Sequence, residues 1–248
     1  MSQRSFHDLY PVTAILLLLN GGFFALEFIG ARNADAGAGA VIGLGGVPQQ
    51  VAVDLGSSVA WMIRDEHQYW RLLASAFLHG GLLHILFNGS VLLDLGRVCE
   101  TQLSSAKFLT IYVLSGLGGA LAPYFWRVHH HQLLSQSVGA SGAICGLIGL
   151  LLVYSVKERK PDLRNSLSRW VVFIVLISVL IPGIDHLGHL GGFVVGALLG
   201  LTVKDYTTSR EARLWRIPAW ICAALLVYSL GMAVWHNGQR NWDWQPAW

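Results

Sequence analysis

Polar residues in this chain fall in short clusters, and between them stand seven apolar runs at roughly 11–30, 72–98, 107–126, 137–156, 169–184, 186–203 and 217–236. Each approaches the ~20 residues a helix needs to cross the hydrocarbon core of a bilayer. The pattern predicts an all-α polytopic membrane protein with seven spans. Residues 31–69 do not fit either extreme. They are rich in Gly and Ala and hold Pro48, too broken for a span and too apolar for an aqueous loop. They are read as a segment lying at the membrane interface. The triplet ADA at 34–36 resembles the small-residue site of a signal peptide, but the run before it is long and Arg4 alone supplies positive charge ahead of it. The first run is therefore expected to remain as a span.

Composition agrees with the pattern. Of the 248 residues, 54% are hydrophobic and 12% charged, about half the charged share of an ordinary soluble domain. A net charge of +3 gives no reason to expect a nucleic-acid partner, and the position of the basic residues is more informative. With the N-terminus in the cytoplasm, Arg32, Arg64, Arg71, Arg127 and Arg240 fall outside, and the other 12 of the 17 Lys and Arg fall inside. Basic residues favour the cytoplasmic side, so the expected orientation is N-in and C-out. Residues 1–10 become a short cytoplasmic N-terminus, 11–203 a six-span core, and 204–248 a seventh span with an external tail rich in Trp. Cys99, Cys145 and Cys222 lie in or beside apolar runs and show neither a disulfide framework nor metal-ligand spacing. Three adjacent histidines, His129–His131, cannot all turn to one ion without strain. No metal and no cofactor is expected.

Polar groups inside a membrane are costly, so each suggests function. In the second run His84 and Asn88 stand four apart on one helical face, and His79 lies five before His84. Interhelical hydrogen bonding would explain any one of them, but not readily three on one span. In the sixth run Gly192, Gly196 and Gly200 recur every four residues, with His189 three before the first. In the fourth, Gly142 and Gly146 make another small-residue face beginning directly after Ser141. Two glycine faces allow backbones to meet, and that packing would bring a serine hydroxyl beside an imidazole. A serine is a weak nucleophile until a base accepts its proton. Asp185 reads as a solvated or helix-capping residue and His186 as a polar helix end. The Gly-x-Ser-x-Gly elbow of soluble hydrolases does not fit, because residue 143 is Ala and no strand is expected before Ser141.

These residues carry a resemblance. The chain resembles the rhomboid intramembrane serine proteases through Trp70–Arg71, the His-x4-His-x3-Asn set of His79, His84 and Asn88, GASG at 139–142 and HLGGFVVG at 189–196, with a weaker match in Gly96-x3-Glu100. The seventh span is similar to that of family members with one extra C-terminal helix. The resemblance implies a Ser141–His189 dyad cleaving single-span membrane proteins in the bilayer. It implies an oxyanion site at His84 and Asn88 with the Ser141 N–H, and a location in a bacterial inner membrane with the site open to the outer side. His79, Gly139, Gly142 and Cys145 would shape the site. Trp70, Arg71, Glu100, Gly192 and Gly196 would be structural. Cys145 stands where some members carry an aromatic residue against the catalytic imidazole, so that stacking surface is missing. An inactive relative would lack the serine or the histidine, and both are present. A transporter would show broken helices in matching halves, and no internal symmetry appears.

Overall fold

The structure, a computed structural model, describes residues 6–33, 46–180, 183–204 and 209–239. The C-terminal tail beyond 239 and residues 34–45 of the interfacial segment lie outside the described residues. Seven helices of 17 residues or more stand among those described: α1 Pro11–Asn33, α2 Leu82–Gln102, α3 Ser105–His129, α4 Ser141–Lys157, α5 Pro161–Leu180, α6 His186–Thr202 and α7 Ser209–Gly238. Each overlaps one of the seven apolar runs, though Leu82–Gln102, Pro161–Leu180 and Ser209–Gly238 depart from the expected bounds. Four of them, α1, α2, α3 and α7, are long and apolar enough to cross a membrane, and α4 and α6 are shorter apolar helices. The chain is an all-α polytopic membrane protein.

Helix α4 is the centre of the bundle. Its residues from Ala143 to Leu151 are all buried, and α6, α3 and α5 pack around it. Helix α1 lies on α2, and α7 lies on α3 and on the short helix Arg71–Ala74. The start of α1 is held by the end of α2: Glu100 accepts hydrogen bonds from Val12 N at 3.2 Å, Thr13 N at 2.8 Å and Thr13 Oγ1 at 2.8 Å. A carboxylate is favourable there because the first N–H groups of a helix have no partner within it and carry the positive end of its dipole. Gly96, one turn before Glu100, makes room: a Cβ there would stand 2.5 Å from Thr13 Oγ1.

Two expectations need correction. The second span does not begin at 72. Residues Arg71–Ala74 and Ser75–Phe77 form one short α-turn and one 3₁₀ turn, and α2 begins only at Leu82. Leu78 is extended, with φ −92° and ψ 152°, and so is Gly81, so the chain breaks helical geometry while its apolar content runs on. A strand also does precede Ser141. Gln136–Ser137 (β2) pairs antiparallel with Ser58–Val59 (β1), Ser58 opposite Ser137 and Val59 opposite Gln136. The interfacial segment is thereby tied to the loop that enters α4.

Arg71 organises that segment from within. It is fully buried, and it donates from Nε to Gln68 Oε1 at 2.6 Å and from Nη1 to the carbonyls of Val53 at 2.6 Å and Ser57 at 3.2 Å. Its guanidinium lies 4.6 Å from the centre of the Trp70 ring, a cation–π distance. Burial pulls its pKa down from the ordinary arginine value. The Trp70 ring also fills the space over Gly56, whose φ of +106° and 2.5 Å gap to Trp70 Cζ3 exclude any side chain there.

Candidate active site

Ser141 is the first residue of α4, with Ala140 in the capping position. The first N–H groups of that helix have no helical acceptor, and the loop that follows strand β2 leads into them. Gly139 within that loop has φ +122°, and a Cβ on it would stand 2.9 Å from His84 Cε1 and Nε2 and 3.6 Å from Asn88 Nδ2. Only glycine meets both demands. The backbone beside Ser141 therefore lies directly against the imidazole of His84 and the amide of Asn88. Its N–H is anchored in turn, donating to Ser75 O at 2.9 Å.

The hydrogen bonding of His84 sets its tautomer. Gly80 N donates to His84 Nδ1 at 3.2 Å, so in the neutral ring Nε2 carries the proton and is a donor, beside Gly139. Asn88 is buried, and its Nδ2 has no protein partner. Two donors from one face of α2 thus converge on the residue two before Ser141. His79 stacks edge-on against His84 with ring centres 5.1 Å apart, and both of its ring nitrogens are buried without a protein partner.

His189 comes from α6, and glycine contacts set where. A Cβ on Gly192 would stand 1.9 Å from Gly142 O, and one on Gly196 would stand 1.9 Å from Gly146 O. At the near end of the same seam a Cβ on Gly142 would meet Gly188 O at 3.3 Å and Gly119 Cα at 3.2 Å. Three backbones, of α3, α4 and α6, meet there. Ser141 and His189 are the residues next to Gly142 and Gly188 across that contact, and both are half-buried. A cavity of about 30 Å³, lined by Ser141, Gly142, Gly188, Asp185 and Ser75 among others, has room for about one water molecule.

A family model for the rhomboid domain matches residues 66–206. The chain belongs to the rhomboid family. It is 35% identical over 141 residues to Rhomboid protease GluP of Bacillus subtilis, across 54% of this chain and 27% of that protein. It is 31% identical over 157 residues to Rhomboid protease AarA of Providencia stuartii, across 54% of this chain and 55% of that one. RHOMBOID-like protein 5 of Arabidopsis thaliana is 34% identical over 144 residues, 56% of this chain and 45% of the relative. The chain thus spans between about a quarter and just over half of the length of these relatives.

Within this rhomboid domain Ser141, His189, His84, Asn88, His79, Gly139 and Gly142 gather at one place. Cys145 is a buried free thiol one turn into α4, and Trp70, Arg71, Glu100, Gly192 and Gly196 make the packing and capping contacts described above. His186 is exposed at the start of α6. The described residues hold no group of three or more His, Cys, Asp or Glu placed to bind a metal, and His130 and His131 are exposed. One residue escaped the sequence reading. Glu27, fully buried in α1, accepts the His79 N–H with both carboxylate oxygens at 3.0 Å. Its signal was available: it is the sole acidic residue of the first apolar run, and an ionisable residue inside a span is a functional candidate.

Proposed function

We propose that this rhomboid protein is an intramembrane serine endopeptidase that cleaves single-span membrane proteins in or near their transmembrane segment. The observation that carries the reading is the convergence of the His84 Nε2–H and the partnerless Asn88 amide on the turn that presents Ser141, one residue from the α4–α6 backbone contact that brings His189 alongside. Ser141 Oγ attacks the scissile carbonyl carbon while His189 takes the hydroxyl proton. The carbonyl oxygen becomes an oxyanion facing His84, Asn88 and the Ser141 N–H. Such donors act most strongly where charge develops in a site closed to bulk water. Collapse breaks the C–N bond, His189 delivers its proton to the leaving amine, and a water activated by the same imidazole then hydrolyses the acyl-enzyme. No cofactor enters the scheme.

The bias of basic residues supports an N-in, C-out orientation, and the likeness to bacterial relatives supports a bacterial inner membrane with the site opening to the outer side. Under that orientation, a reporter active only in the cytoplasm stays silent when fused after Trp248, and a strong signal reverses the assignment.

The direct test is reconstitution of the protein in vesicles with a generic single-span reporter. Wild type is expected to cut it and Ser141→Ala to leave it intact; cleavage by Ser141→Ala at the wild-type rate refutes the proposal. The same assay separates chemistry from packing at Asn88. Its amide is needed only when the oxyanion forms, so Asn88→Ala is expected to lower kcat with KM and Tm nearly unchanged. Loss of one such donor costs about 10²–10³ in rate in a soluble protease. A smaller fall is expected here, because His84 and the Ser141 N–H remain. Unchanged turnover, or a loss matched by unfolding, returns Asn88 to a packing role.

A further inference from the structure

Outside the reacting groups, one polar cluster joins the three chain segments that must keep register for the dyad to work. Arg127, in the last turn of α3, donates from Nη2 to Ser137 Oγ at 2.7 Å, to Gln136 O at 3.3 Å and to Asp185 Oδ2 at 3.1 Å. Ser137 Oγ donates to the same Asp185 Oδ2. Asp185 caps α6, its Oδ1 accepting from Gly188 N at 2.9 Å and its carbonyl from His189 N at 3.1 Å. The ion pair is largely shielded, with side-chain exposures of 11% for Arg127 and 25% for Asp185. Ser137 lies four residues before Ser141, and Asp185 lies four before His189.

We propose that Asp185, held by Arg127 and Ser137, is a positioning residue that sets the registry of His189 against Ser141. The inference rests on the Ser141–His189 reading. The glycine seam fixes how closely α4 and α6 approach, but backbone contacts alone leave the helices free to slide along it. The cluster removes that freedom. It ties the strand entering α4 and the cap of α6 to a single guanidinium, whose planar fork reaches several acceptors at once. Asp185 therefore has two separable tasks. Its Oδ1 caps α6, which an asparagine side chain does equally well. Its Oδ2 takes the charged link to Arg127 and the Ser137 hydroxyl, which a neutral amide does not reproduce.

Asp185→Asn, Ser137→Ala, their double variant and Arg127→Lys, with Ser141→Ala as control, are to be compared in the vesicle reporter assay alongside Tm in one detergent. A displacement of reacting groups by about 1 Å costs up to about 10² in rate. Asp185→Asn is thus expected to lower kcat about tenfold or more, with KM within about twofold and Tm little changed. The double variant should lose little beyond Asp185→Asn, since both substitutions cut the same link. Arg127→Lys keeps the charge without the fork and should fall between wild type and Asp185→Asn. Wild-type kcat in Asp185→Asn, or a rise in KM with kcat intact, overturns the assignment while an inert Ser141→Ala leaves the dyad standing. Additive losses in the double variant also overturn it. Cleavage by Ser141→Ala brings down both.

Discussion

In the His189→Ala variant, Ser141 is expected to stop reacting with a fluorophosphonate probe, and reporter cleavage should fall by at least about 10⁴-fold. Losing the base of a serine–base pair costs about as much as losing the serine, near 10⁶ in kcat in a soluble protease. The neighbours of His189 do not offer a substitute. His84 Nδ1 is occupied by the Gly80 N–H at 3.2 Å, and that bond keeps the proton on its other nitrogen, leaving a donor. His79 is buried behind the His84 ring. His186, one turn before His189, lies at the exposed start of α6, open to solvent rather than at the α4–α6 contact. The measurement is labelling of intact protein by mass spectrometry, with Tm recorded alongside. Labelling of Ser141 at the wild-type rate in folded His189→Ala would remove the histidine from the chemistry.

The second large effect belongs to the packing that brings the dyad together. Gly196→Ala places a methyl group where Gly146 O stands 1.9 Å away, and Gly192→Ala does the same against Gly142 O, also at 1.9 Å. The obstacle is backbone in both cases, so relief requires the helices to separate. Overpacking a core costs about 1–3 kcal/mol where side chains can yield. Here the upper end is expected, with cleavage lost because His189 moves away with α6. The chain supplies its own control. Gly231, inside α7, has nothing within 4 Å of an added Cβ, and alanine is the better helix former by roughly 1 kcal/mol. Gly231→Ala should leave Tm and cleavage unchanged or raise Tm slightly. Thermal melts of Gly196→Ala, Gly192→Ala and Gly231→Ala in one detergent test the contrast, and equal Tm values for all three would refute the backbone contact.

The features legible in the sequence were those with a period. Gly192, Gly196 and Gly200 repeat at four, Gly142 and Gly146 answer them, and His84 and Asn88 share the same interval, so faces could be assigned before any contact was known. The features that escaped have no period. Hydropathy does not distinguish residues 71–77 from the helix after them, since the break at Leu78–Gly81 lies in backbone angles. Two-residue strands such as Ser58–Val59 and Gln136–Ser137 are too short for alternation to register. The Arg127–Ser137–Asp185 cluster joins residues 10, 48 and 58 positions apart, a link that no local pattern announces. Asp185 is read correctly as a cap, but a cap is a property of one helix, and its second bond set reaches helix α3 through Arg127 and strand β2 through Ser137. Glu27 escaped although the rule that marked His84 and Asn88 applied equally to the first span, where Asn20 and Glu27 stand amid apolar residues.

The glycine seam also constrains how this protein can vary. Where two side chains collide, a large residue on one helix can be accommodated by a small one on the other, and compensating pairs arise. At Gly192 and Gly196 the opposing atoms are carbonyl oxygens of Gly142 and Gly146, which are the same in every amino acid. No exchange at the partner position enlarges the space. Second-site suppressors of Gly196→Ala should therefore not map to residue 146. They should appear only where they tilt or retract a whole helix, at its ends or in the loops that join α4, α5 and α6, and recovered revertants should mostly restore glycine itself.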